Sequence, residues 1–247
     1  MNLRILTLLA LIDNFYQYRV AFKSYQSIYA FFNSTFSKSS IRAQISAANQ
    51  SGEAEKILKN GQVYFSLTSK GWKAVTSLFL RPYRALPTRW DGKWRMIIFN
   101  VPESQRDARG KLRSLLKKQG FGKLSNSCYV SPFISLKKTL AEANLEFFAF
   151  EAISGTGDQK IAATAFNLFN LAKLYNKWIK KTKLTSSVKE EFEVIMEYYD
   201  IVFRVDPALP EELLPEHWPF SRSWSIFIGL VNKRLKLSAK KTGINSS

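Results

Sequence analysis

The stretch 90–132 constrains the fold of this chain more than any other segment. Its apolar run Met96–Phe99 is too short for a solitary helix and stops just before Pro102, which predicts a central β-strand over Trp94–Val101. Residues 104–118 then place apolar side chains on one helical face and basic side chains over the rest. We therefore expect a helix that packs one side against a sheet.

The remainder of this segment is predicted to return to strands. Gly120 ends the helix, and short strands are expected over 121–124 and 127–131, with a Ser-Asn turn between them. A short helix over Ser135–Asn144 and a Phe-rich strand over Leu145–Ile153 follow. The order β-α-β-β-α-β is typical of a ferredoxin-like module.

The first 80 residues predict a winged helix-turn-helix. The Asn60-Gly61 pair is the strongest short turn signal for a β-hairpin, and Thr68 is suited to cap a following helix. The expected elements are helices over 3–12, 22–32 and 37–49, hairpin strands over 54–58 and 62–67, and a helix over 69–79. The hairpin would be the wing, with Lys59 near its tip to contact phosphate.

The third of these helices is the candidate recognition helix. At 100° per residue it turns Ile41, Ile45 and Ala48 to a buried side and leaves small hydroxyls and Arg42 outward. Small side chains approach a major groove closely, and an arginine can bond a guanine edge in bidentate fashion. Such patterns also occur in proteins that never bind DNA. The predicted DNA-binding residues are Lys38, Ser39, Ser40, Arg42, Ser46, Lys59 and Asn60.

Charge supports a polyanionic partner. The chain has 37 Lys and Arg against 19 Asp and Glu, a formal net charge of +18, for which nucleic acid is the default partner and a membrane surface the weaker one. No stretch is as long and apolar as a membrane span. The single cysteine, Cys128, cannot form an internal disulfide, which fits a reducing cytoplasm, and the single histidine, His217, excludes chemistry that needs several histidines.

The C-terminal third is predicted to be helical. Apolar residues at helical spacing predict one helix over Gln159–Lys181 and another over Ser187–Tyr199. The Pro-rich segment Asp206–Pro219 cannot be a continuous helix or a central strand, so we expect an ordered loop with one short turn over Glu211–Leu214. A last helix carries Trp224, Phe227, Ile228, Val231 and Leu235.

Several motifs together resemble the bacterial phenylacetate-degradation repressor family (PaaX-like). They are WDGKWR at 90–95, IIFNVPE at 97–103, GFG at 120–122, YVSP at 129–132 and RVDPALPEELLPEHWP at 204–219. The resemblance implies a homodimeric, DNA-binding repressor in which the central module is a dimerisation platform. It also implies a C-terminal region that binds an acyl-coenzyme A effector, for which the candidate residues are Arg204, Trp218, Arg222 and Trp224.

The central module also resembles the ferredoxin-like CRISPR adaptation nuclease, in which a carboxylate at the end of the first strand serves metal-dependent cleavage. The matching residue is Asn100, and an amide is a much poorer ligand for a hard divalent cation. We therefore expect no catalytic residue and no metal. A metal-dependent nuclease and a non-specific nucleic-acid-binding scaffold remain the alternative functions. For Asp91, Glu103 and Asp107 we expect roles in turns, helix termini and ion pairs.

The predicted fold class is α+β, with three domains and no enzymatic activity. The expected boundaries are a winged-helix domain at 1–80, a basic linker at 81–93, a ferredoxin-like module at 94–154, a helical effector domain at 155–237 and a disordered tail at 238–247. The linker arginines either follow a DNA backbone or belong to a solvated connector. The predicted protein is a cytoplasmic transcriptional regulator that binds double-stranded DNA, with no membrane partner.

Overall fold

A computed structural model describes residues 28–29, 37–59, 61–76, 89–133, 147–153 and 156–242. These residues form a mixed α and β structure with antiparallel sheets. They divide into two compact units. Of the described residues, the first unit holds those before position 77, with 178–199 and 221–242, and the second holds 89–177 and 200–220. None of the described helices is long and apolar enough to cross a membrane.

Helix α1, Lys38–Gln50, lies where the third N-terminal helix was predicted. The side chain of Ser37 accepts a hydrogen bond from the amide of Ser40 at 3.1 Å and so caps its first turn. Ile41, Ile45 and Ala48 are buried, as the helical spacing predicted. The helices predicted over 3–12 and 22–32 lie outside the described residues, except for the helical pair 28–29.

A β-hairpin and a short helix follow α1. Strands β1, Ala54–Lys59, and β2, Gln62–Leu67, pair antiparallel as predicted. Lys59 lies opposite Gln62, so β1 is one residue longer than predicted and two residues connect the strands. Gly61 has a φ of 72°, which the hairpin turn requires and which glycine adopts without strain. Helix α2, Ser69–Thr76, begins where the Thr68 hydroxyl accepts the amide of Gly71 at 3.1 Å, so the predicted cap is confirmed.

The second unit contains a four-stranded antiparallel sheet in the order β4-β5-β3-β6. The strands are β3, Trp94–Phe99; β4, Gly122–Lys123; β5, Cys128–Ser131; and β6, Phe147–Ala152. Strand β3 is central and pairs with both β5 and β6. Helix α3, Arg106–Lys118, follows β3 after one 3₁₀ turn over Glu103–Gln105. The helix predicted over 135–144 lies outside the described residues.

One face of the sheet forms a core with α3. Ile97 and Phe99 of β3 and Tyr129 of β5 share this face, and they cluster with Leu112 and Leu116 of α3. The alternation of side chains along a strand places Met96 and Ile98 on the opposite face. The predicted strand–helix–strand arrangement therefore buries the apolar side of α3 as the sequence indicated.

The helix predicted over Gln159–Lys181 is two helices, so that prediction of one continuous helix is wrong. Helix α4, Asp158–Ala165, ends at Phe166, and helix α5, Leu168–Thr182, begins two residues later. Between them Asn167 has a φ of 51°, a left-handed conformation that asparagine tolerates better than most residues. Apolar spacing continues across such a break, which is why periodicity did not reveal it.

Helix α6, Val188–Asp200, continues through a π-helical turn, Ile201–Val205, into the Pro-rich loop. That loop is ordered and contains one 3₁₀ turn, Glu211–Leu213, as predicted. Helix α7, Phe220–Thr242, passes Ser238, so the tail predicted to be disordered from that residue is helical at its start. The helix can continue past Ser238 because residues 238–242 include neither glycine nor proline. The next glycine after Ser238 is Gly243.

Candidate nucleic-acid interface

The outward face of α1 is polar and accessible. Lys38, Ser39, Arg42 and Ser46 are exposed, and Ser40 is half-buried. These are the predicted DNA-binding residues of this helix, and the structure brings them together on the side away from the core. The face contains no acidic side chain. It combines small hydroxyls with two cations, which suits close approach to a DNA groove.

Among the described residues, one hydrogen bond holds the guanidinium of Arg42. Its Nε donates a hydrogen bond to the hydroxyl of Tyr29 at 2.9 Å, and no other hydrogen bond or ion pair joins Arg42 to the described residues. This bond uses Nε. The two terminal nitrogens, which would contact a guanine edge, take no part in it. Sequence analysis missed Tyr29, because nothing in the helical pattern signals a contact across thirteen positions.

Two of the α1 hydroxyls are already engaged within the helix. The Ser40 hydroxyl accepts a hydrogen bond from Nε2 of Gln44 at 3.0 Å, and the hydroxyls of Ser37 and Ser39 lie 3.0 Å apart. Ser40 is therefore less suited to contact a base than Ser46, which is exposed on the next turn.

Two hydrogen bonds join the residues after the hairpin to the residues between α1 and the hairpin. The Thr68 hydroxyl donates to the carbonyl of Gly52 at 2.6 Å, and the Lys70 ammonium donates to the carbonyl of Ser51 at 2.6 Å. A Cβ at Gly71 would lie 1.9 Å from the carbonyl oxygen of Glu53, so glycine is required there. At the tip, Lys59 ends β1, its side chain is not described, and Asn60 lies outside the described residues.

The signature segment 90–95 is an internal ion-pair cluster. The guanidinium of Arg95 is 3% exposed, and its two terminal nitrogens donate to the two carboxylate oxygens of Asp91 at 2.8 and 2.5 Å. Carbonyls of Lys93 and Pro132 accept further bonds from Arg95 at 3.0 and 3.3 Å. Hydrogen bonding by Arg95 is the main cause that lowers the pKa of Asp91 to about 2. The cluster joins the turn before β3 to the end of β5.

The four candidate effector residues are not all in one unit. Arg204 and Trp218 belong to the second unit, where Arg204 forms an ion pair with Asp200 at 3.3 Å. Arg222 and Trp224 belong to the first, where Arg222 is exposed and Trp224 packs against Tyr198 and Phe227.

Most of the aromatic residues near these positions are core residues. Tyr198 is fully buried, shares a hydrogen bond with Ser223 at 2.9 Å and stacks on Phe227 at 4.7 Å. In the second unit Tyr175 is equally buried, donates its hydroxyl proton to Asp206 and contacts the edge of Trp218. The Pro-rich signature is thus anchored to α5 by Asp206 and Trp218.

The position that matches the nuclease carboxylate is exposed and uncharged. Asn100 directly follows β3, and among the described residues no group of three or more His, Cys, Asp or Glu side chains could hold a metal ion. Cys128 is half-buried on β5, and burial raises the pKa of its thiol, so its reactive thiolate is scarce at neutral pH.

Two family models match consecutive parts of the chain. The first is described as the PaaX protein central Cas2-like domain and matches residues 87–159, and the second as the PaaX-like protein C-terminal domain and matches residues 164–242. The chain belongs to the PaaX-like family. The segment 90–95 and the Pro-rich loop, which carried the resemblance in the sequence, lie inside these two matches.

Two individual proteins are similar to this PaaX-like chain. The transcriptional repressor PaaX of Escherichia coli (strain K12) is 26% identical over 206 residues, which is 74% of this chain and 65% of that repressor. The match therefore spans slightly less than two thirds of the relative's length. The structure of an uncharacterized protein from Mycobacterium tuberculosis superposes with a TM-score of 0.68 at 17% identity, and the superposition covers 97% of this chain and 98% of that one. This second likeness shows a shared fold.

Proposed function

We propose that the protein is a DNA-binding transcriptional repressor that reads its operator with helix α1. The observation that carries the proposal is the outward face of α1, where Arg42 stands exposed beside small hydroxyls while the opposite side is buried. The net charge of +18 and the similarity to a transcriptional repressor support it. In this function α1 enters a major groove and the β1–β2 hairpin is the wing of a winged helix.

The role of each predicted residue follows from its position. Arg42 and Ser46 contact base edges, with Ser39 and Ser40 beside them. Lys38, at the first residue of α1, and Lys59 with Asn60, at the hairpin turn, contact the phosphate backbone. The protein has no catalytic step in this function.

We propose that the second unit has a ferredoxin-like fold and joins two copies of the chain. The strand order β4-β5-β3-β6 and the position of α3 between β3 and β4 support that fold. Strand β6 pairs with β3 on one side, and no described strand pairs with its other edge. On it Phe148 and Phe150 are 67% and 49% exposed and stack at 6.4 Å. A two-fold axis at Ala149 would pair each Phe148 with the partner copy's Phe150.

The dimer is tested by sedimentation of a Phe148→Glu, Phe150→Glu variant. The wild-type chain is expected to sediment as a dimer and the variant as a monomer, because four carboxylates would meet at the two-fold axis. Phe169→Glu is the matched control, since Phe169 is 70% exposed on α5 and receives the same change. A variant that remains dimeric would place the interface elsewhere.

We further propose that an acyl-coenzyme A effector binds the C-terminal region and lowers the affinity for the operator. The candidates form two separate pairs, each with an exposed cation that suits a phosphate and a half-buried aromatic ring: Arg204 with Trp218 in the second unit, and Arg222 with Trp224 in the first. In this proposal the effector shifts a two-state equilibrium and must bind one state more tightly than the other. Loss of operator binding on addition of acyl-coenzyme A is the expected result.

A binding titration tests the central proposal. Purified protein is titrated against the DNA upstream of its own gene and against a shuffled duplex, at physiological salt with EDTA present. We expect a preference of about 10³ or more for the natural sequence. Equal binding to both duplexes would contradict a repressor and favour a non-specific scaffold, and cleavage that appears when EDTA is replaced by a divalent cation would favour a nuclease.

A further inference from the structure

The exposed face of helix α5 carries an unusual concentration of positive charge. Between Asp158 and Glu190 the sequence contains no acidic residue and seven lysines. Three of these, Lys173, Lys177 and Lys180, are exposed and lie within about 60° of one another around the helix. The lysine stripe is the name used below for these three residues.

The opposite face of α5 is fixed within the protein. Leu171, Tyr175 and Trp178 are buried, and the indole Nε1 of Trp178 donates to the carbonyl of Val194 at 2.8 Å. The lysine stripe therefore has one orientation, outward, and its members are separated along the helix axis by about 6 and about 4.5 Å. Two apolar side chains of α5, Phe169 and Leu174, remain exposed, so a membrane surface is an alternative partner that the vesicle measurement below distinguishes from DNA.

Other exposed lysines form ion pairs within the protein, whereas the lysine stripe forms none with the described residues. Lys181 of the same helix forms an ion pair with Glu197 at 2.5 Å, and Lys233 of α7 pairs with Glu191. No ion pair joins Lys173, Lys177 or Lys180 to a described residue. Lys173 lies over the ring of Phe169 at 4.1 Å, a contact that holds its ammonium above the surface.

The helix dipole does not account for the stripe either. Favourable interaction of cations with the carboxyl end of a helix is confined to its last turn, which contains Lys180 but not Lys173 or Lys177. Like charges three or four residues apart on a helix repel one another and destabilise it. Lys173, Lys177 and Lys180 have these spacings. Helix α5 would therefore gain stability if a polyanion neutralised their charges.

We infer that the lysine stripe is a second contact surface for the phosphate backbone of duplex DNA. The inference rests on the proposed repressor function and adds to it a surface that contacts DNA without reading its sequence. Backbone contacts position a protein on the duplex and release counterions, but they do not distinguish bases. The stripe therefore contributes affinity to operator and random DNA alike, whereas α1 supplies the discrimination.

The test is a salt titration of DNA binding with the full chain, on a duplex several helical turns long. In a Lys173→Gln, Lys177→Gln, Lys180→Gln variant, the slope of log affinity against log salt is expected to fall by about 0.9 for each lysine that contacts a phosphate. Affinity should fall several-fold on natural and shuffled duplexes alike. The corresponding triple Arg variant should retain the wild-type slope, because it keeps the charge.

A matched control separates a local surface from net charge. Lys111, Lys117 and Lys118 are exposed lysines of α3, and changing all three to Gln removes the same charge from another helix. The control variant is expected to retain nearly the wild-type slope. An equal loss in both variants, or an unchanged slope in the stripe variant, would overturn the inference.

Two further outcomes separate this inference from the proposed function. If the wild-type chain binds neither duplex, both fail together. If the wild-type chain prefers its natural duplex and the stripe variant binds as well as the wild type, the repressor function stands and the stripe contact fails. A stripe variant that loses binding to phosphatidylserine vesicles but not to DNA would also overturn the inference, in favour of a membrane surface.

Discussion

Arg42 and Arg95 show two opposite uses of the same side chain. The guanidinium of Arg95 is buried in the second unit and donates to one carboxylate and two backbone carbonyls. Arg42 is exposed on α1 of the first unit, and within the part of the chain that the structure describes its one hydrogen bond runs from Nε to the hydroxyl of Tyr29. An arginine whose terminal nitrogens are bonded internally, as in Arg95, stabilises a fold, whereas an exposed arginine held through Nε is positioned to bind a partner.

The two arginines also lie in different kinds of segment. Arg95 belongs to a segment that identifies the family, and Arg42 belongs to the helix that we propose binds DNA. In the segment 90–95, which marks the chain as PaaX-like, Trp94 and Arg95 are buried and Arg95 is bonded within the protein. The residues of α1 that suit DNA lie before position 87, outside both family matches. The two arginines therefore make different predictions, one about stability and the other about binding.

Asp91→Ala is expected to have the largest effect, because it leaves the buried Arg95 guanidinium without its main partner. Removing the partner of a fully buried charge costs about 3 kcal/mol or more. The cost here should be below that figure, because Asp91 is itself partly exposed and Glu151 remains 3.5 Å from the Nε of Arg95. Urea denaturation at neutral pH measures it. Glu216→Ala is the matched control, since Glu216 is an exposed carboxylate of the same unit, and it should change stability little.

The pH dependence sharpens this prediction. Because the pKa of Asp91 is lowered from 3.8 to about 2 on folding, its contribution is fully present above pH 4 and is lost as the pH falls through about 2. The difference in unfolding free energy between the wild type and Asp91→Ala should therefore shrink below pH 4. A difference that stays constant down to pH 2 would show that the carboxylate charge is not what Arg95 requires.

Arg42→Ala is expected to leave stability unchanged and to weaken operator binding by about 1–3 kcal/mol. Loss of a bidentate contact to a base affects the natural duplex far more than a shuffled one. Competition titrations against both duplexes measure the two affinities. Arg42→Lys keeps the charge but not the planar pair of donors, so it should recover little of the preference. Equal losses on both duplexes would reduce Arg42 to a phosphate contact.

The sequence predicted those parts of the fold that depend on local pattern. Ile41, Ile45 and Ala48 point inward as their spacing required, and the Asn60-Gly61 pair correctly located the hairpin turn. The break at Asn167 was not predictable from periodicity, because the apolar pattern continues through it. Long-range contacts were equally hidden, since neither Asp206 with Tyr175 nor Tyr29 with Arg42 follows a helical or strand repeat.

The candidate site was predictable to a similar extent. The exposed face of α1 followed from the identity of its buried residues, so Arg42 and Ser46 were identified from spacing alone. Spacing does not show which hydrogen-bonding groups already have a partner within the protein. The spacing placed Ser46 on the outward side and Ser40 on its flank, but it did not show that the Ser40 hydroxyl accepts a bond from Gln44 at 3.0 Å. The effector residues were chosen by type, and residue type does not reveal that they belong to two different units.

The smallest expected effect tests whether Arg42 is positioned in advance. Tyr29→Phe removes the hydroxyl that accepts the Arg42 Nε bond and leaves the arginine itself in place. The change removes only the bond that positions Arg42 and keeps the arginine itself, so operator affinity should fall less than in Arg42→Ala, by no more than about 1.5 kcal/mol, with little change on shuffled DNA. The double variant should bind no more weakly than Arg42→Ala alone, because the tyrosine acts through the arginine. Additive losses would instead assign Tyr29 a contact of its own, and the contrast between a freely presented and an internally satisfied arginine would then rest on burial alone.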